Sequence, residues 1–192
     1  LIAKKDDFQK ENRRRLIARI ATGDYDCVIV GHTQFQRIPI SEERQKEMME
    51  KQVEQLMIAI DMAKREEGKN WSVKQMETKK KQLLDKIKRM NNEEIKDHVV
   101  CFEELGVNAL FVDEAHTFKN LDIFTKMNNI AGINANGSQR AMDMRQKAQY
   151  INEINHGTGV VLATGTPISN SMSELYVMQV FLQEMRLKMK GI

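Results

Sequence analysis

Asp113 and Glu114 stand side by side at the end of the apolar run Ala109 to Val112, with His116 and Lys119 close behind in "LFVDEAHTFKNL". Two adjacent carboxylates at the mouth of a buried strand can divide labour. One can hold a divalent cation, and the other can orient or deprotonate an attacking water. Enzymes that transfer phosphoryl groups from nucleotides place an acid at such a strand end to hold Mg²⁺. The plain alternative is that both acids cap the following turn and face solvent. His116 could pass a hydrogen bond to a neighbouring loop, or could simply be a satisfied structural histidine. With the two acids it could also suggest zinc. Against that, the four histidines, His32, His98, His116 and His156, form no H-E-x-x-H pattern, and no paired-cysteine spacing occurs.

A second stretch of this kind is "ATGTPISNS", Ala163 to Ser171. Thr164, Gly165 and Thr166 follow an apolar run and precede an amphipathic one. Small hydroxyl residues beside glycine bring backbone and side-chain donors close to a carboxylate or phosphate. A strand-to-helix turn with Ser and Thr as caps would read the same way. A third polar loop, Gly31 to Phe35, contains His32, Thr33 and Gln34.

The elements that would position these loops are short apolar runs alternating with helical periodicity. "CVIVG" (Cys27 to Gly31) reads as a strand buried on both faces, and "ALFVD" (Ala109 to Asp113) and "GVVLAT" (Gly159 to Thr164) read as the second and third strands. Residues 6–22 read as a helix ended by Gly23. "FEELG" reads as the end of a helix with Gly106 just beyond it. "SQRAMDMRQKAQYINEI" reads as a helix capped by Ser138, and "SELYVMQVFLQEM" as one capped by Ser171 or Ser173. The alternation implies an α/β fold with a parallel sheet flanked by helices. Ligands of such sheets bind beyond the carboxyl ends of the strands, where all three polar loops fall.

Residues 41–97 differ in kind. Met49, Val53, Leu56, Ile60 and Ala63 recur at helical spacing. After a break at Gly68 to Trp71, so do Val73, Met76, Leu83, Ile87 and Met90, with Lys80 intruding on the stripe. The first arm leans acidic and the second basic. The pattern predicts an antiparallel helical hairpin inserted into the α/β unit. The division expected is 1–40 and 98–192 for the α/β unit and 41–97 for the hairpin.

The 192 residues suffice for one domain with a core, and a net charge of +3 permits nucleic-acid binding without arguing for it. No apolar run reaches membrane-span length, and the charged opening carries no signal-peptide pattern. Cys27 and Cys101 read as small buried residues in a reducing cytoplasm.

"DEAHTFKN" followed by "LATGTPISNSMSELYVMQVFL" resembles motifs II and III of superfamily-two helicases, most closely the Snf-type DNA translocases. The matching positions are Asp113 to His116, Lys119, Asn120, Thr164 to Ile168, Asn170, Glu174, Leu175, Phe181 and Leu182. "VIVGHTQF" resembles the motif of that family which lies along the DNA backbone. "FEELGVNALFVDEAH" and "TKMNNIAGI" resemble helicase-like proteins of bacterial plasmids, phages and conjugative elements, often labelled adenine-specific DNA methylases. The resemblance covers residues 16–37 and 98–184.

It implies a partial RecA-like lobe and a role in ATP-driven movement on DNA. Asp113 would hold Mg²⁺ through water and Glu114 would activate the hydrolytic water. His116, Thr164, Gly165 and Thr166 would couple nucleotide state to DNA grip. His32, Thr33, Gln34 and Lys119 would touch DNA, with Arg140, Arg145 and Lys147 as further phosphate contacts. The cofactors would be ATP and Mg²⁺. The partners would be DNA and the remainder of a longer chain, in a bacterial or phage-encoded cytoplasmic protein. The departures are equally definite. No G-x-x-x-x-G-K-[ST] loop occurs, and no [DN]-P-P-[YF] methylase loop contains Pro39 or Pro167. The expectation is a piece of a first lobe that lacks turnover on its own and that could dimerise through an open sheet edge. The competing expectation is a non-catalytic module that binds DNA or protein on a degenerate core.

Overall fold

Two of the three apolar runs that lead into polar loops form strands. β1 (Leu110–Val112) and β2 (Val160–Leu162) pair in parallel, with Leu110 opposite Val160, Phe111 opposite Val161 and Val112 opposite Leu162. The computed structural model describes residues 1–65, 70–92, 100–121, 137–169 and 171–190. They belong to two compact units, one of Leu1–Ile40 with Val100–Ile192 and one of Ser41–Val99. The chain is therefore mixed α/β and rich in helix, with a small parallel sheet in the first unit. None of its described helices is long and apolar enough to cross a membrane.

The first unit opens with a 3-10 turn, Lys5–Phe8, and α1 (Lys10–Thr22), separated at Gln9 by an extended backbone. α1 buries Leu16, Ile17 and Ile20 in a core shared with Phe8, Ile38, Ile40, Phe102 and Leu105. The short α2 (His32–Phe35) follows. The chain then leaves for the second unit and returns at the same place, because the Phe102 amide donates to the Pro39 carbonyl at 2.8 Å. The helix end expected at "FEELG" is a single 3-10 turn, Phe102–Leu105. It exits through Gly106 at φ +70°, a conformation glycine adopts without strain.

α5 (Gln139–Ile154) starts where Ser138 Oγ accepts from the Ala141 amide at 3.1 Å, as its capping role requires. α6 (Ser173–Met189) begins beyond Ser171, whose Oγ accepts from the Ser173 amide at 3.3 Å, and departs from helical geometry at Gln183. β1, α5 and α6 share a core of Val112, Ala141, Met144, Ala148, Val177, Met178 and Phe181, joined by Ala115 and Phe118 of the turn after β1. Each large apolar side chain withdrawn there contributes roughly 1.5–3 kcal/mol.

Two expectations from the sequence are corrected. Cys27 to Gly31 is not a strand buried on both faces. Ile29 makes one isolated parallel bridge to Ile2, and its side chain is 59 % exposed. A β-branched run becomes a ladder only where neighbours offer several successive partners, and Leu1 to Ala3 offer one. Cys27 is accordingly exposed and Cys101 half-buried, and neither is in a disulfide.

The second unit contains α3 (Glu42–Arg65) and α4 (Asn70–Asn92). Leu56, Ala59 and Ile60 pack with Val73 and Met76 at one end; Met49 and Val53 pack with Ile87 at the other. Those pairings run in opposite directions along the two helices, so the hairpin is antiparallel. The stripe read from the sequence supplies its core, with Ala59 added. One cross-arm ion pair, Lys64 Nζ to Glu77 Oε1 at 2.9 Å, has the reverse polarity to the acidic-arm, basic-arm expectation. The segment Gly68 and Lys69, His98, "TKMNNIAGI" and Asn170 lie outside the described residues.

Candidate active site

Parallel pairing brings the ends of β1 and β2 level, and the hydrogen bonding continues past both. The Ala163 amide donates to the Val112 carbonyl at 2.8 Å, and the Ala115 amide donates to the Ala163 carbonyl at 3.0 Å. The "DEAH" turn and the "ATGT" loop are thus stitched together through backbone. A 3-10 turn, Ala115–Phe118, buries Ala115 and Phe118 beneath them. Asp113 and Glu114 remain exposed above it.

Glu114 is held at φ 48°, ψ 43°, in the left-handed region. For a residue with a Cβ this costs on the order of 1–2 kcal/mol. Such strain persists where the surroundings over-determine it, and functional sites are where it gathers. The Glu114 amide donates to Asp113 Oδ1 at 2.9 Å, which orients the neighbouring carboxylate. Glu114 Oε2 lies 3.1 Å from His116 Nδ1. The same nitrogen lies 3.2 Å from Thr164 Oγ1, which also accepts from the Thr166 amide at 3.2 Å. The Glu114 carboxylate thus stands within ion-pair distance of the ring nitrogen that meets Thr164, and the ring's tautomer decides which partner donates in the contact with Thr164. His116 therefore links the two loops by side chain as well as by backbone. Gly165 and Thr166 lie exposed beside it.

The third loop joins the cluster. His32 Nδ1 stands 3.5 Å from Thr117 Oγ1, and its ring centroid is 5.1 Å from that of Phe118. Thr33 is exposed and Gln34 half-buried on the same turn. The turn is fixed from below. Lys147 Nζ donates to the Phe35 carbonyl at 2.8 Å and to Asp143 Oδ2 at 2.7 Å, and sits 4.2 Å from the centre of the Phe35 ring. Burial lowers the Lys147 pKa, with Asp143 opposing; burial likewise raises that of Asp143, with Lys147 opposing.

Four basic residues associated with phosphate contact are thereby placed. Lys147 is fully buried, so its expected contact with a backbone phosphate is corrected: it faces the core of α5, not solvent. Arg145 is likewise committed, to both carboxylate oxygens of Glu184 at 2.6 and 3.1 Å. Arg140 lies with its guanidinium 5.0 Å from the Phe118 ring centre. Lys119 donates to Glu174 Oε2 at 2.9 Å and to Ser169 Oγ at 3.2 Å, and only 11 % of its side chain is exposed. Lys119 and the nearly buried Glu174 form a second tie between the loops after β1 and β2, reinforced by the Ser169 amide donating to Glu174 at 2.6 Å.

Sequence reading missed Lys147 and Glu174 as structural anchors. The signal for Lys147 was present: it falls on the stripe of Met144, Ala148 and Ile151 that α5 buries. A lysine on an apolar stripe calls for a buried partner, and Asp143 stands one turn before it. Glu174 gave no comparable signal, because its charged partner Lys119 is distant in sequence.

No group of three or more His, Cys, Asp or Glu side chains among the described residues converges into a metal cage. The exposed Asp113 carboxylate beside hydroxyl-bearing loops fits a different kind of cation. Mg²⁺ characteristically takes one or two carboxylates, keeps several waters and completes its shell with phosphate oxygens.

Fold and site together define an α/β protein whose polar machinery gathers past the carboxyl ends of parallel strands, centred on an acidic pair. The whole chain, residues 1–192, matches a family model described as a probable helicase domain, and the chain belongs to that family. No curated protein and no solved structure matches it.

Proposed function

We propose that this chain carries the hydrolytic and coupling part of an ATP-dependent DNA helicase or translocase with a RecA-like lobe of the superfamily-two, Snf-type kind. Helicase-family membership supplies the class. The observation that carries the finer reading is the link from Glu114 through His116 to Thr164, made from a strained Glu114 backbone. A capping carboxylate would need neither the strain nor the histidine.

In this reading Asp113 holds Mg²⁺, which when bound neutralises charge on the nucleotide phosphates. Glu114 accepts a proton from the attacking water as general base. His116 Nδ1 stands close to both Glu114 and Thr164, so a change at the carboxylate is felt in the loop after β2. His32, sitting on Thr117 and Phe118, carries that change to Thr33 and Gln34, which face a DNA strand. Lys119 serves here as a clamp on Glu174, holding the two loops in register. The phosphate grip comes from residues outside these three loops. Origin in a bacterial mobile element, and any link to a methylase, rest on wording shared with that subgroup.

The test is DNA-stimulated ATP hydrolysis by the longest native chain containing these residues. Glu114→Gln should lower turnover about 10²–10⁴-fold, the usual span for a general base, while nucleotide binding persists. Undiminished turnover would overturn the assignment.

A further inference from the structure

Charge is unevenly distributed along this chain. The whole sequence carries a net +3. α4 alone has seven Lys and Arg against two acids, a net +5. Its partner α3 has five basic residues against six acidic ones, a net −1. One of the acids on α4, Glu77, is engaged by Lys64 of α3.

The positive charge also has an order. Val73, Met76 and Ile87 are buried against α3. Lys74, Lys81 and Lys88 are exposed, and they recur every seven residues. A seven-residue step drifts only about 20° around a straight helix, so the three ammonium groups lie along one nearly straight line. Successive members are about 10.5 Å apart and the outer two about 21 Å. Among the described residues, none of the three is held in an ion pair. Lysine is a strongly hydrated point charge on a flexible stem, suited to following a row of anions more than to fixing one. A row with roughly 10 Å steps matches about every third phosphate along a nucleic-acid strand, whose phosphates advance about 3.4 Å per residue in a duplex.

We propose that the Lys74, Lys81 and Lys88 face of α4 is a docking surface for the sugar-phosphate backbone of nucleic acid, read without regard to base sequence. The choice of nucleic acid over an acidic protein rests on the helicase reading above and on the even spacing of the three lysines. The surface lies in the hairpin unit, and the loops assigned to nucleotide chemistry belong to the other unit. It supplies grip where those loops supply coupling.

Two features separate this face from the other basic helix. α1 has five basic residues against one acid, a net +4. Its exposed arginines, however, are grouped within two turns, and Arg14 is already engaged in an interaction. They form a patch; the lysines of α4 form a line.

The test uses the full chain and a fluorescent mixed-sequence oligonucleotide, presented as a single strand and as a duplex. Affinity is measured by anisotropy between about 50 and 200 mM salt, the range over which phosphate contacts are lost. The triple variant Lys74→Gln, Lys81→Gln, Lys88→Gln keeps good helix formers at exposed positions, and circular dichroism checks that the hairpin remains. It should weaken binding equally across sequences. It should also reduce the slope of log affinity against log salt by about 2 to 3, as expected for three lost phosphate contacts. Arg15→Gln with Arg19→Gln, on α1, should leave that slope nearly intact.

A slope unchanged in the lysine variant overturns the proposal, as does a slope lost only in the α1 variant. Absence of binding by the unaltered chain at low salt also overturns it, and directs attention to an acidic protein surface. None of these outcomes touches the assignment of Glu114, which is read by nucleotide turnover.

Discussion

Lys147 shows how a single residue can hold a loop without touching a ligand. Its ammonium is buried, grips the Phe35 carbonyl and lies against the Phe35 ring, so it fixes the turn bearing His32, Thr33 and Gln34. Burial is the larger influence on both it and Asp143, and it acts against charge on each. Asp143, with its pKa raised in the folded state, stabilises most below the unfolded value of about 3.9. That contribution falls as pH rises through the folded pKa. Lys147, with its pKa lowered, stabilises most above about 10.4, and its contribution is lost as pH falls through the folded value. Urea denaturation across the acid range should therefore show the unaltered chain losing stability, relative to Asp143→Asn, as pH rises from about 4. A constant difference would show that Asp143 titrates alike in both states. The acidic pair was legible in the sequence because an apolar run ending in two carboxylates invites a chemical explanation. Lys147 was misread because a charge within a helix is ordinarily solvated, and only its place on the stripe marked it as different.

Among the elements, α5 does the most positioning, since it supplies Lys147 and Asp143 beneath one loop and packs Met144 and Ala148 under the strand ends. Its start depends on Ser138, whose hydroxyl satisfies the Ala141 amide. Ser138→Ala should cost about 1 kcal/mol of stability, measured as a lower urea midpoint with an unchanged m-value. A loss within experimental error would mean that water serves that amide as well as serine does. Helices and their caps were readable because 3.6-residue periodicity and Ser before an amphipathic run are local signals. The strand at Cys27 to Gly31 was misread for the opposite reason. Its composition is that of a buried strand, but a strand is completed by partners elsewhere in the chain, and Ile29 finds only Ile2. Phe111, at 76 % exposure in the middle of β1, makes the same point: an apolar run can form a strand and still leave one face open.

The molecule as a whole divides into two units. The chain departs at Pro39 and returns at Phe102, and one backbone hydrogen bond closes the gap. Closing a short loop there costs little entropy. Replacing residues 41–99 with a brief Gly-Ser linker should leave the first unit folded, with cooperative unfolding and the loops after β1 and β2 intact. Loss of cooperative unfolding would show that the hairpin is part of that unit's core. In the sequence, residues 41–97 are marked by a change from alternating short apolar runs to long helical stripes. The meeting of Pro39 with Phe102 was not, since nothing local records where distant backbone comes together.

That division into two units also separates the chromophores. The single tryptophan, Trp71, belongs to α4, whereas Tyr25, Tyr150 and Tyr176 all belong to the other unit. Light absorbed by indole alone reports on the hairpin, and phenol emission and near-ultraviolet dichroism from tyrosine report on the body that carries the acidic pair. The chain is in effect labelled twice by its own sequence, so changes in each unit can be followed separately in one unmodified sample.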